Sequence, residues 1–193
     1  LEEDLAKRLD SNFADMMELN NDINKTHVKE HDGLMKEKMS INPNKTEYGD
    51  GRAEIYDLGI LDSKGELTNL LLKGEEFTIR EKIKFNANIE SPIFTFTIKD
   101  KKGTELTGTN TMFEGVEVKP VKPGDDAVVE FKQKMTLQGG EYLLSMSCTG
   151  FENGTHVVYH RLYDVTFITV ISNKNTVGVY DMESKVKLTQ NSK

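Results

Sequence analysis

The chain has 193 residues, 36% of them hydrophobic and 30% charged, with a formal net charge of −7. That length allows one substantial domain with a packed core plus an extension. The acidic balance speaks against a nucleic-acid groove, which needs clustered Lys and Arg, and no apolar run approaches the roughly 18 residues of a membrane-spanning helix.

Taken in chain order, the first 47 residues follow a helical rhythm. Leu1, Leu5, Leu9, Phe13, Met16 and Met17 recur every three or four residues and share one helical face. The pattern fades near Asn20-Asn21-Asp22, and a second helical piece is expected around Val28 to Met39. Pro43 in INPNKT then interrupts any helix. An isolated amphipathic helix is marginal, so its apolar face needs a partner.

From residue 48 onward the period is two. Phe77, Ile79, Ile83 and Phe85 oppose Thr78, Arg80, Lys82 and Lys84. Phe94, Phe96 and Ile98 oppose Thr95, Thr97 and Lys99; Val129, Phe131, Met135 and Leu137 oppose Glu130, Lys132, Lys134 and Thr136. Tyr142, Leu144, Met146 and Cys148 oppose Leu143, Ser145 and Ser147, and Val165 and Phe167 continue the theme. DSKG, KGE, DKKG, KPGDD, QGG and ENG mark turns between these runs. Strands with one apolar face pair antiparallel, and two such sheets must stack. The expectation is an all-β antiparallel sandwich of about eight strands, jelly-roll or immunoglobulin-like, behind a helical extension.

Catalytic chemistry is sparse. No G-x-x-x-x-G-K-[ST] phosphate loop occurs, so the chain is not expected to be an ATPase itself. No Ser–His–Asp set stands out, and no cofactor or enzyme activity is expected. His27 and His31 lie four apart but lack an H-E-x-x-H setting, so no metal is expected there. His156 and His160 would lie about 13 Å apart along a strand, too far for one metal shell. Cys148, the one cysteine, has core parity and reads as a small buried hydrophobe. Three N-x-T triplets, at Asn24, Asn44 and Asn153, matter only on a glycosylating route. The N-terminus shows no signal peptide, and a start at Leu rather than Met reads as a piece of a longer protein.

GDGRAEIYDLGILDSKGE (Gly49–Glu66) resembles the opening of the C-terminal domain of Wzt-type subunits, the ATP-binding subunits of ABC transporters that export O-antigen and related polysaccharides. The order that follows is similar too: GEEFTIREKIKF, SPIFTFTIKDKKG, GTNT, a PGD turn, GGEYLLS and YHRLYDVTFITV, over roughly residues 48–180. The resemblance implies a sandwich that recognises the exported glycan, often at its modified non-reducing end. It also implies a homodimer, in which the C-terminal strand can be exchanged. Thr176–Leu188, after the polar break SNKN, would be that segment. Residues 1–47 would be the tether from an absent nucleotide-binding domain, itself joined to a membrane subunit, and residues 48–193 the glycan-binding sandwich. The place implied is the cytoplasmic side of the bacterial cell membrane.

Sugar recognition needs hydroxyl hydrogen bonds and an apolar platform for the C–H face of the ring. In LTGTNTMF, Thr107, Thr109 and Thr111 share one parity and offer the first. With no tryptophan in the chain, Tyr159 and Tyr163 are the candidate platforms, with His160 and Arg161 beside them for charged substituents. His156, with Phe151 and Asn153 around the ENG turn, is a candidate rim. Two readings stay open. The threonines contact ligand, or they reflect only the β-propensity of a branched residue. Tyr159 and Tyr163 share parity with Val165 and Phe167, so either can be core. Asn110 reads as structural, bonding a neighbouring turn. The rival function is a module that dimerises and spaces the motor domains without touching sugar.

Overall fold

A computed structural model describes residues 33–190. The Leu1–Met17 helix, the His27/His31 pair and the Val28 end of the second helical piece lie outside the described residues. The chain divides between Asp32 and Gly33 into two units, of which the second is the one described.

Nine strands are described: β1 (Thr46–Tyr48), β2 (Ala53–Leu61), β3 (Leu70–Leu72), β4 (Glu76–Phe85), β5 (Ile93–Asp100), β6 (Glu105–Asn110), β7 (Asp126–Lys134), β8 (Gly140–Glu152) and β9 (Thr155–Ile171). They form two sheets. The larger runs β1-β9-β8-β5-β6, with β3 also on β9; the smaller runs β2-β4-β7. Every pairing is antiparallel except β3 with β9. The apolar faces expected from alternation meet between the sheets. Phe77, Ile79, Ile83 and Phe85 of β4, Phe94, Phe96 and Ile98 of β5, and Tyr142, Leu144, Met146 and Cys148 of β8 are all buried. Edge-on ring contacts, Phe85–Phe94 at 6.3 Å and Phe96–Phe131 at 5.0 Å, join the layers. This is the all-β antiparallel sandwich expected. The ENG turn closes the β8–β9 hairpin with Asn153 at φ 50° and Gly154 at φ 79°, the left-handed pair that matches strand twist.

One residue breaks the pattern inside the core. Glu81 shares the inward parity of Ile79 and Ile83, is fully buried, and both its carboxyl oxygens lack a hydrogen-bond partner among the described residues. Burial pushes its pKa well above the ordinary carboxylate range, because desolvation favours the neutral acid over the carboxylate.

The tether expected to end at residue 47 is, from Gly33 on, part of the sandwich. Instead of a helix through Met39, the chain makes a four-residue 3₁₀ turn, Met35–Lys38. Its N-terminal amides are taken by Asp57 of β2: Met35 N–H donates to Oδ2 (3.1 Å) and Lys36 N–H to Oδ1 (3.0 Å). Met39 enters the core, Ile41 bridges Thr166, and Asn42 N–H donates to the Val165 carbonyl at 2.9 Å. β1 then pairs with β9, Thr46 opposite Tyr163 and Tyr48 opposite Arg161. The apolar spacing that reads as a helix face instead serves a chain crossing from one sheet to the other.

β8 and β9 are long, 13 and 17 residues, and their pairing is interrupted twice. Cys148 faces His160 but Thr149 faces Val158, which leaves Tyr159 as an extra residue. Met146 faces Leu162 but Leu144 faces Thr166, so Tyr163, Asp164 and Val165 bulge opposite Ser145. Asp164 takes φ 52°, tolerated by its short polar side chain, and its N–H donates to Ser145 Oγ at 2.8 Å.

Candidate functional site on the outer face of the larger sheet

Because Leu144, Met146 and Cys148 point into the core, Ser145 and Ser147 point out. Strand register extends that outward row across the sheet. Tyr48 stands opposite Arg161, Arg161 opposite Ser147, Ser147 opposite Thr95, and Thr95 opposite Asn110. A second row runs alongside it. Thr46 lies opposite Tyr163, whose bulge faces Ser145, then come Thr97 and Gly108. Four inter-strand steps of about 4.8 Å make each row about 19 Å long.

The middle of this face is a floor of small hydroxyl residues. Ser145 and Ser147 are buried among their neighbours, and Thr95 and Thr97 are half-buried. Within the described residues, Thr95, Thr97 and Ser147 direct no side-chain hydrogen bond to a protein partner. Gly108 must be glycine here. A Cβ would lie 2.5 Å from the Phe96 carbonyl and 3.2 Å from Thr97 Oγ1.

One end of the floor is walled by aromatic rings. Tyr48 and Tyr163 lie 5.9 Å apart at a tilt of 41°. Arg161 donates from Nη1 to both phenol oxygens, Tyr48 at 3.1 Å and Tyr163 at 3.3 Å, and its guanidinium lies 5.9 and 5.5 Å from the two ring centres. Lys99 lies 4.5 Å from the centre of the Tyr163 ring and pairs with Asp164 at 3.4 Å. The Tyr48 hydroxyl first, then the Arg161 and Lys99 cations, hold the Tyr163 phenol below its ordinary pKa against the opposing effect of burial.

The residues expected from the sequence are scattered relative to this face. Arg161 and Tyr163 belong to it. Thr107 and Thr109 stand opposite Ile98 and Phe96, so they turn to the core side at the sheet's edge, where Thr109 donates to Glu114 at 2.6 Å. Thr111 is buried, and its Oγ1 accepts the Phe94 N–H at 3.2 Å. Tyr159 is core: it is 2% exposed, Arg52 lies 4.7 Å from its ring centre, and its hydroxyl reaches Glu152 at 3.4 Å. His160 is buried between layers. Its Nδ1 accepts the Ile55 N–H at 2.9 Å, so Nε2–H faces Glu47 at 2.9 Å. His156 is exposed at the β8–β9 hairpin, edge-on to Phe151 at 5.5 Å. Asn110 Oδ1 accepts the Phe113 N–H at 2.7 Å, the turn role expected of it.

An open groove of about 420 Å³ lies elsewhere, lined by Pro92, Ile93, Met112, Val116, Val118 and Phe151 among others. Thr111, one of its few polar lining groups, already serves the backbone.

Residues 44–182 match the family model of the Wzt C-terminal domain. The chain belongs to this family. A crystal structure of the C-terminal domain of Wzt superposes with a TM-score of 0.75 at 24% identity, covering 85% of this chain and all of that one. Looser likenesses link the Wzt C-terminal domain described here to a CARDB domain from Pyrococcus furiosus (TM-score 0.37, 16% identity, 60% of this chain and 88% of that one). Another is to a β-glucosidase from Listeria innocua (TM-score 0.34, 13% identity, 64% and 17%). No curated protein matches the chain.

In this Wzt C-terminal domain the residues missed from sequence are Tyr48, Thr95, Thr97, Lys99, Ser145 and Ser147. The strand alternation already placed five of them, Thr95, Thr97, Lys99, Ser145 and Ser147, opposite the core. Tyr48 gave no such signal, because it stands at the very start of the segment read as sandwich, outside the alternating runs.

Proposed function

We propose that this Wzt C-terminal domain binds the polysaccharide carried by an ABC exporter, through the outer face of its larger sheet. The supporting observation is the floor of hydroxyls without partners among the described residues, Thr95, Thr97 and Ser147, beside the Tyr48–Tyr163 pair. The tyrosines offer apolar ring faces for the C–H side of a sugar, and the hydroxyls both donate and accept for its OH groups. The domain does no chemistry in this reading. It selects a glycan at the inner face of the cell membrane for a transporter whose nucleotide-binding domain lies upstream.

Two copies are part of the proposal. Beyond Ile171 the chain exposes Val177, Met182, Val186 and Leu188, with Val177 98% exposed. It is anchored partway by the Leu137–Tyr180 bridge and by the Asp181 N–H donating to the Thr136 carbonyl at 2.7 Å. A segment with so many bare apolar residues suits exchange with a second copy, and two sites per dimer add avidity to weak single contacts.

Titration of the chain with the surface polysaccharide of its own host, and with an unrelated one, tests the reading. Binding to the first only, reduced at least about tenfold by Tyr163→Ala and unchanged by Thr107→Ala, is expected. Equal affinity for both polysaccharides, or full affinity in Tyr163→Ala, would hand the function to the rival spacer role.

A further inference from the structure

Three arginines lie among the described residues, and two are neutralised by carboxylates. Arg52 pairs with Asp50 at 2.7 Å and with Glu152, and Arg80 pairs with Glu130 at 2.5 Å. Arg161 differs. Among the described residues its partners are two phenol oxygens and two ring faces, with no carboxylate. Two acidic groups close to it in the chain or the strand register are already engaged: Asp164 with Lys99, and Glu47 with Lys45 and His160. In a chain of net charge −7, a half-buried guanidinium without an anion is unusual. Its Nη1 is fixed by the two tyrosines, which leaves Nη2 and Nε as donors without a partner in the described residues. Arginine's planar fork matches carboxylate and phosphate oxygens two at a time.

We infer that the glycan unit seated on this face carries an anionic group, a carboxylate or a phosphate ester, and that Arg161 is its counter-ion. Tyr48 and Tyr163 aim the guanidinium and take the sugar ring beside it, while Lys99 adds positive potential without leaving Asp164. This rests on the outer face being the glycan site and adds the charge class of the ligand. Half-burial makes the pairing stronger than an exposed ion pair, yet open enough to be weakened by salt.

The test uses three forms of the host's own polysaccharide: native, carboxyl-reduced, and stripped of phosphate esters by hydrogen fluoride. Each is titrated against the wild-type chain, Arg161→Gln and Arg161→Lys. One of the two treatments should lower wild-type affinity about 10- to 100-fold, the range of a charge-assisted hydrogen-bonded pair, and which one does so names the anion. Arg161→Gln should bind the native form no better than wild type binds the stripped one, and should be indifferent to either treatment. Arg161→Lys should recover part of the loss, and raising salt should weaken wild type more than Arg161→Gln. If both treated forms bind wild type as tightly as the native form, the anionic assignment is overturned while the glycan site stands, since Tyr163→Ala still reports on that face. If native polysaccharide does not bind wild type at all, the glycan site falls and takes the assignment with it.

Discussion

The outer faces of the two sheets handle charge in opposite ways. On the smaller sheet, the segment from Gly33 folds back over β2: Met35 lies against Gly59, where any Cβ would meet its Sδ at 3.0 Å. Asp57 is fully buried there and accepts from Met35, Lys36 and Leu58 N–H, with Lys82 at 3.7 Å. Arg80 closes on Glu130. Every charge named on that face has a partner inside the chain. On the larger sheet, hydroxyls are left without partners among the described residues, and a guanidinium has there only phenols. A polar face whose groups satisfy one another holds structure together; one whose groups are prepared but unpaired is built for something that arrives from outside.

If that division is real, substitutions on the two faces must separate stability from binding. The largest effect is expected at Asp57→Ala. It strands three backbone N–H groups and the Lys82 cation, and should cost about 3–5 kcal/mol in denaturant unfolding. Glycan affinity of the remaining folded protein should be unchanged. A loss under 1 kcal/mol would mean the smaller sheet's closure is dispensable.

Glu81 comes next and has the opposite sign. Its pKa is raised in the folded state, so the fold takes up a proton there. The stability it permits is full below about pH 4.5 and is lost as pH rises toward the folded pKa, with a slope of about 1.4 kcal/mol per unit. Glu81→Leu should therefore stabilise the sandwich at neutral pH by about 1–3 kcal/mol and remove that slope. A wild-type unfolding free energy that does not fall between pH 5 and pH 8 would contradict a neutral buried acid.

Tyr163→Ala and Arg161→Gln belong to the open face. They should change unfolding free energy by less than about 1 kcal/mol while removing most glycan affinity. Parallel losses of stability and binding would erase the contrast between the faces. The smallest global effect is expected at Asp181→Asn. The Glu183 N–H first, then Lys73 and Lys174, hold the Asp181 carboxyl down to about 2. That anchor is present above about pH 3.8 and is lost as pH falls through about 2. Limited proteolysis at neutral pH should cut the Asn variant faster between Thr176 and Glu183, with its melting temperature almost unmoved.

Much of the fold is readable strand by strand. In β4, β5 and β8 apolar and polar residues alternate over most of each strand, with Glu81 the exception on the inward side of β4, and a pleated strand sends neighbours to opposite faces whatever surrounds it. Alternation therefore assigns the hydroxyls of Thr95, Thr97, Ser145 and Ser147 to the outside, and the turn motifs assign their glycines to positive φ. Glu81 carried the same inward parity, but a charged residue in that place is believable only once both layers are seen to close over it. β9 resists such reading, because parity counted from Val165 back to Tyr159 crosses two bulges. Those bulges send Tyr159 into the core and leave Tyr163 outside. The threonines of β6 kept their own alternation, yet pairing with Phe96 and Ile98 turned Thr107 and Thr109 to the side away from Arg161. Alternation is a property of one strand, set by local geometry. Which residues of five strands line up as one surface depends on register, bulges and the return of Tyr48 to the edge of β9, where it meets Arg161 113 residues further along the chain.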